Sequence, residues 1–286
     1  MNKPKLSISL VNYNLTDMVI DLIKSAYDTT KNLSLEILVV DNASSDSPEK
    51  ITKTFPTASL IRNSENVFFT KADNQNMLRA TGEYILTITP DAFFLPGALD
   101  KMVEFLENHK DVGAIVPKII FPDGKIQRSF SYFPNFLFGV FYILGINHFF
   151  PNNFVARKIM PTDIDYDVNK TTEVEVLYGA CIMVRREVLV SVGVKDEKFV
   201  HGWDEYDWCR RIKQGGWKLC YVPRASVTHY RSVSYNKVMS TSGGRKVLKK
   251  HHRNGFLYLY RKYYGYLAYS FLKLLWLPRF FYESYK

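Results

Sequence analysis

Two aspartates stand where an enzyme built on a parallel sheet keeps its chemistry. Asp41 closes the apolar run EILVV in VVDNAS, and Asp91 follows YILTI in TITPDA. Ligands of open α/β sheets bind outside the carboxyl ends of the strands, so both carboxylates can face one crevice. Taken singly, each is better explained as a turn former or a helix cap, and that explanation weakens for the two together. Between them lies RNSENVFFTKADNQN, carrying Asn63, Asn66, Asn74 and Asn76. Side-chain amides offer donors and acceptors to a base or a sugar without adding charge, although isolated asparagines are most simply turn residues.

Further along, HGWDEYDWCRR sets Asp204, Glu205 and Asp207 in the first turns of a helix, where the helix dipole favours carboxylates. Trp203 and Trp208 flank these acids. An indole wall raises a carboxyl pKa towards the range of a general base, and it can also stack on a sugar ring. His229 lies in THYR. A lone imidazole is more often a hydrogen-bonded surface or core residue than a ligand. Joined to Asp91 and phosphate oxygens, it makes a competent shell for Mg²⁺ or Mn²⁺, and manganese tolerates nitrogen better.

The elements that must position these residues follow from patterning. The chain has 286 residues and 33.2 kDa, enough for one large domain or two small ones. Its first 120 residues alternate short β-branched runs with helical spacing, which predicts a parallel α/β sheet. Strands are expected at 6–11, 36–40, 58–61, 84–88 and 112–116. Helices are expected over 16–28 and 71–80 and after Pro96. Beyond Phe121 the rhythm changes. A strand is expected at 178–184, then a helix on RREVLVSVG, a helix over 204–214 and a strand at 218–222. Neither an internal repeat nor a low-complexity segment occurs.

Charge divides the chain unevenly. From Gly243 to Lys286 there are ten Lys/Arg and one acidic residue, Glu283, whereas residues 1–242 hold 28 basic and 27 acidic residues. That tail also carries a dense aromatic series from Phe256 to Tyr285. Basic and aromatic residues together suit a bilayer interface, with rings at headgroup level and cations against anionic lipid. The run Phe136–Phe150, FLFGVFYILGINHFF, is too short to span a bilayer but suits the same interface. Lys273 and Arg279 interrupt the tail and argue against a spanning helix. Cys181, Cys209 and Cys220 have no paired spacing, which disfavours a disulfide framework or structural zinc. With no signal-peptide pattern at the N-terminus, the expected location is cytoplasmic and peripheral, on the inner face of the cell membrane.

In order, SISLVNYN (7–14), ILVVDNASSDS (37–47), RNSENVFF with ADN (62–74), ATGEYILTITPDA (80–92), GALDKMVEFLENHKDVGAIVPKI (97–119), EVLYGACIMVRREVL (175–189) and the stretch from Asp196 to His229 resemble glycosyltransferase family 2. The likeness is to its bacterial rhamnosyltransferase-like branch and covers roughly residues 5–232. It implies a GT-A fold: a Rossmann-like nucleotide-sugar-binding half (1–120) fused to an acceptor-binding half (121–242, with the apolar segment 136–150), then a membrane-associated helical tail (243–286). The resemblance further implies that Asn12, Tyr13 and Asp41 contact the nucleotide, that Asn63, Asn66 and Asn74 complete the donor pocket, and that Asp91 is the last acid of the metal-binding DxD motif. It gives His229 a metal or diphosphate contact, assigns Trp203 and Gly179 to the acceptor side, and makes Glu205 the base, with Asp204 next in line. In this chain Thr89 replaces the first acid of DxD, Phe68 and Asn76 stand where the pattern has glycines, and the acidic pair reads Asp-Glu rather than Glu-Asp.

The activity so implied is inverting, metal-dependent transfer of a sugar from a nucleotide-sugar donor to a polyprenyl-diphosphate-linked glycan in cell-surface polysaccharide synthesis. The branch favours dTDP-rhamnose, and UDP-sugars stay open. A nucleotidyltransferase and a non-catalytic lipid-glycan-binding relative are the rival readings. A nucleic-acid partner is not expected, since SFLKLLWLPRFF is too apolar for a solvated phosphate track.

Overall fold

The computed structural model of the protein describes residues 3–145, 166–230, 233–241 and 243–284. Residues 146–150 of the apolar segment and Tyr285 of the aromatic series lie outside them. In chain order the elements begin β1 (Leu6–Asn12), α1 (Thr16–Thr29), β2 (Leu35–Asp41), α2 (Glu49–Thr54), β3 (Ser59–Arg62), α3 (Phe68–Arg79), β4 (Tyr84–Ile88), β5 (Ala92–Phe94), α4 (Ala98–Asn108) and β6 (Val112–Ile120). They continue with β7 (Ile126–Gln127), β8 (Phe130–Ser131), α5 (Phe136–Leu144), β9 (Thr172–Val174), β10 (Val176–Leu177), β11 (Cys181–Arg185), α6 (Arg186–Val192), α7 (Asp204–Gln214), β12 (Lys218–His229), α8 (Val233–Met239) and α9 (Gly244–Ser284).

The main sheet runs β3-β2-β1-β4-β11-β6-β12-β5. β1 lies parallel to both β2 and β4, while β11 is antiparallel to β4 and β6. The sheet is therefore mixed, and strands from before and after residue 121 share it. Both faces are covered, as the near-continuous apolar runs of β1, β2 and β4 require. On one face Tyr84, Leu86 and Ile88 pack with Val19, Leu22 and Ile23 of α1 and with Leu99, Met102 and Leu106 of α4. On the other, Ile85 and Val184 pack with Val188 of α6 and with Trp208, Cys209 and Ile212 of α7. The centre of this second face is polar: Ser9 and Thr87 are buried and bond to Asp73 of α3, which also buries Thr70, Asn74 and Asn76, while buried Ser7 bonds to Glu36 and to the Gly82 N–H.

Several boundaries differ from those read off the sequence. α3 starts at Phe68 rather than residue 71, because Phe68 adopts φ 64°, the left-handed region that a glycine occupies without strain. β12 continues past Val222 to His229 by pairing with β5, so His229 sits on a strand opposite Ala92. The apolar segment folds into α5, N-capped by Asn135, whose side chain accepts from the Phe138 N–H at 2.8 Å.

The tail is not a free appendage. α9 breaks at Gly265, with φ 84° and ψ 178°. Its first part buries Phe256, Leu259 and Tyr260, and its second buries Leu272 and Trp276, in one cluster with Phe138, Ile143, Phe199 and Trp203. Among the described residues no helix is long and apolar enough to cross a membrane.

Candidate functional site

A cleft of about 300 Å³ opens at the carboxyl ends of β1, β2 and β4. Val11 and Tyr13 line it from the end of β1, Asn42 from the residue after β2, and Thr89 and Pro90 from the turn after β4. Asn66, Phe68 and Phe69 close one side, at the start of α3. Opposite them stand Gly179, His201, Asp204 and Glu205, and Val238 and Leu248 roof the space from α8 and α9.

Of the residues singled out from the sequence, Tyr13, Asn66, Gly179, Asp204 and Glu205 meet in this cleft. Asn12 and Asp41 do not line it. They are fully buried partners in register on adjacent strands, and Asn12 Nδ2 donates to Asp41 Oδ1 at 2.8 Å. Their other atoms hold the turns above them: Asn12 Oδ1 accepts from Leu15 N–H, and Asp41 Oδ2 accepts from Ser44 N–H. What reaches the cleft is the residue after each, Tyr13 and Asn42. Asn63 acts one step back, donating to Asn42 Oδ1 at 2.9 Å. Asn74 also lies outside the lining, with its amide bonded to the backbone of Lys195 and to Glu197 Oε1.

Trp203 does not stack in the cleft either. It precedes α7 with φ 70°, is 7% exposed, and packs edge-on against Tyr142 and Phe256. Trp208 is fully buried and donates to the Gly193 carbonyl at 3.0 Å. Both indoles face apolar cores, so the wall expected to flank the acids is built from other residues.

Asp91 and His229 come together at the cleft edge, next to Thr89 and Pro90. His229 Nε2 is 3.4 Å from Asp91 Oδ1, and His229 Nδ1 is 2.6 Å from Gln127 Oε1. With the Gln127 carbonyl oxygen as acceptor, Nδ1 carries the proton and Nε2 turns its lone pair towards Asp91. Two acceptors that close need positive charge between them, a proton or a metal ion. Asp91 Oδ2 accepts from Val233 N–H at 3.0 Å, which ties α8 to the end of β4. The Thr89 hydroxyl, buried at the same turn, has no hydrogen-bond partner among the described residues. Oxygen, imidazole nitrogen and an orphan hydroxyl fit a divalent cation whose remaining ligands come from a diphosphate. Among the described residues no cluster of three or more His, Cys, Asp or Glu could hold an ion by itself.

Glu205 lines the same cleft as Thr89 and Pro90. Its Oε1 accepts from Gly179 N–H at 3.3 Å. Burial, and after it the neighbouring Asp204 carboxylate, pushes its pKa up to about 8. A carboxyl so tuned takes up a proton readily near neutrality, as a general base must.

Sequence reading missed the cation beneath this pair. Lys195 Nζ is 3.1 Å from Asp73 Oδ2 and 3.5 Å from Asp204 Oδ2, with the lysine side chain 1% exposed. Asp73 in turn accepts from Ser9 Oγ at 2.6 Å and from Thr87 Oγ1 at 2.9 Å. The one available signal was Ser7, Ser9 and Thr87 alternating with apolar residues on strands expected to be buried on both faces, which marks a polar partner on the helix above.

Comparison with known proteins gives the same picture. The profile of "Glycosyl transferase family 2" matches residues 7–193. An N-acetylglucosaminyl-diphospho-decaprenol L-rhamnosyltransferase of Mycobacterium tuberculosis is 23% identical over 248 residues, 81% of this chain and 76% of that protein. Among solved structures, GalNAc-T7 with UDP, GalNAc and Mn²⁺ superimposes with a TM-score of 0.59 at 15% identity, covering 79% of this chain and 43% of the other. The Pyrobaculum calidifontis mannosyltransferase PcManGT, in complex with GDP-Man and Mn²⁺, superimposes with a TM-score of 0.53 at 16% identity, covering 96% and 80%.

Proposed function

The chain belongs to glycosyltransferase family 2, a rhamnosyltransferase-like member with the GT-A fold, and from that premise we propose that it is an inverting, divalent-metal-dependent transferase moving rhamnose from dTDP-rhamnose onto a polyprenyl-diphosphate-linked glycan. The observation that carries this reading is that Glu205 lines one cleft with Thr89 and Pro90, the two residues just before Asp91, whose carboxylate pairs with His229. Tyr13, Asn42 and Asn66 form the wall for the nucleotide.

Glu205, in its carboxylate form, accepts the proton of the acceptor hydroxyl as that oxygen bonds to the anomeric carbon from the face opposite the diphosphate. The bond to the nucleoside diphosphate breaks with its electron pair, inverting the centre. Gly179 N–H orients the carboxylate through Oε1. Asp91 and His229 would hold a Mg²⁺ or Mn²⁺ ion, which neutralises charge on the departing diphosphate. Gln127 fixes the imidazole so that Nε2 faces the ion.

The acceptor places the enzyme at the inner face of the cell membrane. On α9, Leu267, Phe271 and Leu274 share one helix face at 86%, 48% and 64% exposure. Leu137 and Leu144 are exposed on α5, which packs against it through Phe136 and Phe271. An exposed apolar face with Lys273 beside it suits the boundary of an anionic bilayer.

The deciding experiment measures thermal stabilisation by dTDP-rhamnose and by UDP-sugars, with and without Mn²⁺, followed by sugar transfer to a lipid-diphosphate acceptor. Mn²⁺-dependent stabilisation by dTDP-rhamnose and inverted product support the proposal. Stabilisation by UDP-sugars alone moves the donor, and release of pyrophosphate from a nucleoside triphosphate overturns it.

A further inference from the structure

We propose that Lys195 divides the labour of the acidic pair: its ammonium group, locked between Asp73 and Asp204, holds Asp204 inward-facing in an ion pair and leaves Glu205 as the member that exchanges a proton with the acceptor. Lys195 is thus a positioning residue, acting through Asp204 and Glu205. The inference rests on reading Glu205 as the base.

The geometry around Lys195 is closed. Nζ pairs with Asp73 at 3.1 Å and with Asp204 at 3.5 Å. The ring of Phe69 lies 4.9 Å from Nζ and that of Trp208 5.7 Å. The backbone beneath is held on both sides, since Asn74 accepts from Lys195 N–H and donates to Lys195 C=O. A lysine so confined cannot leave its partners for water.

Charge then sorts the acids. One buried cation faces three carboxylates, Asp73, Asp204 and Glu205. The two nearest take the ion pairs, and Asp73 also accepts from Ser9 and Thr87. Glu205 receives only the Gly179 N–H from the backbone and opens onto the cleft. The other titratable groups near it are Tyr178, Tyr206 and Cys209, each with its pKa raised, first by burial, so all three stay neutral and none competes as a base near neutral pH. His201 stands beside Asp204, and burial lowers its pKa, so it adds no second cation there. Burial works against the charge on Lys195, but Asp73, Asp204 and Glu205 outweigh it and raise its pKa, so the cation persists throughout the working range. Removing Lys195 deprives Glu205 of an attraction that lowers its pKa, whereas neutralising Asp204 removes a repulsion that raises it.

The test is the pH profile of kcat/KM in the full chain for Lys195→Met, Lys195→Arg and Asp204→Asn, with cooperative thermal unfolding as the check on folding. In the parent the rate should climb with pH until Glu205 is ionised. In Lys195→Met that limb should move up by about one unit or more, so activity at neutral pH falls ~10-fold or more and returns in alkali. Lys195→Arg should leave the limb in place, and Asp204→Asn should move it down. Opposite shifts in the methionine and asparagine variants are the signature that a purely structural lysine would not produce. Uniform loss of rate with both limbs unmoved overturns the proposal. If Lys195→Met does not fold, the direction in Asp204→Asn decides alone, and an unmoved or raised limb there overturns it. The underlying base assignment fails separately, and only if Glu205→Gln transfers sugar at the parent rate.

Discussion

Asn74 clasps the backbone of Lys195 from both sides, its Oδ1 accepting the N–H at 3.1 Å and its Nδ2 donating to the C=O at 2.9 Å. The two residues come from α3 and from the segment before α7, so this clasp fixes where the buried cation stands relative to the acids. Asn74→Ala should strand two buried backbone groups and cost about 2 to 4 kcal/mol of stability, read by urea unfolding. It should also lower transfer at neutral pH. Parent stability in that variant would show that the clasp is incidental.

Glu205→Gln should cut transfer about 10²- to 10⁴-fold, the usual worth of a positioned base. The same change has a sign on stability. The folded-state pKa of about 8 lies above the ordinary 4.5, so the protonated carboxyl stabilises the fold fully in acid, and that contribution fades as pH rises through 8. Melting temperatures of parent and variant should therefore diverge between about pH 5 and pH 8 in the direction of a flatter curve for the glutamine chain. Parallel curves would argue against the raised pKa.

Asp91→Asn and His229→Ala should each abolish the extra stabilisation that Mn²⁺ brings to nucleotide-sugar binding, measured by thermal shift. Gln127→Leu should weaken it less, on the order of 10- to 100-fold in metal affinity, because it only orients the imidazole. Undiminished manganese dependence in His229→Ala would remove His229 from the metal shell.

Replacing Leu267, Phe271 and Leu274 together with serine should reduce binding to vesicles containing anionic phospholipid while lowering the melting temperature only slightly, since Leu267 and Leu274 are exposed and Phe271 gives up its contact with Phe136. Truncation at Ser242 would be a poor substitute: it removes Phe256, Leu259 and Tyr260 from the core and Leu248 from the cleft roof. Full vesicle binding by the triple variant would rule out this face.

The α/β character was legible because β1, β2 and β4 are uninterrupted apolar runs whose burial on both faces dictates a parallel sheet. Helix Asp204–Gln214 was legible to the residue, bracketed by Gly202 before and Gly215 after. The acids Asp204 and Glu205 were found for the same reason. That Asn12, Asp41 and Asn74 bond to neighbouring turns and backbone was not legible, because residue type and position cannot say which end of a short side chain the fold engages. The tail's packing was not legible: its composition suggested an interface, whereas Phe256 and Trp276 turned inward once α5 supplied a partner. Lys195 was out of reach, since its setting depends on Asn74, 121 residues away in sequence.

The join between α9 and α7 sets limits of its own. Tyr263 Oη donates to Asp207 Oδ1 at 2.7 Å, Lys262 pairs with the same carboxylate at 2.6 Å, and Phe256 presses on Trp203 just ahead of Asp204. The helix proposed to meet lipid on one side thus serves on the other as the backrest of the turn that carries Asp204 and Glu205. Exchanging that helix for a foreign anchor would disturb turnover even if adhesion were restored, because grip and reaction share a single piece of scaffolding.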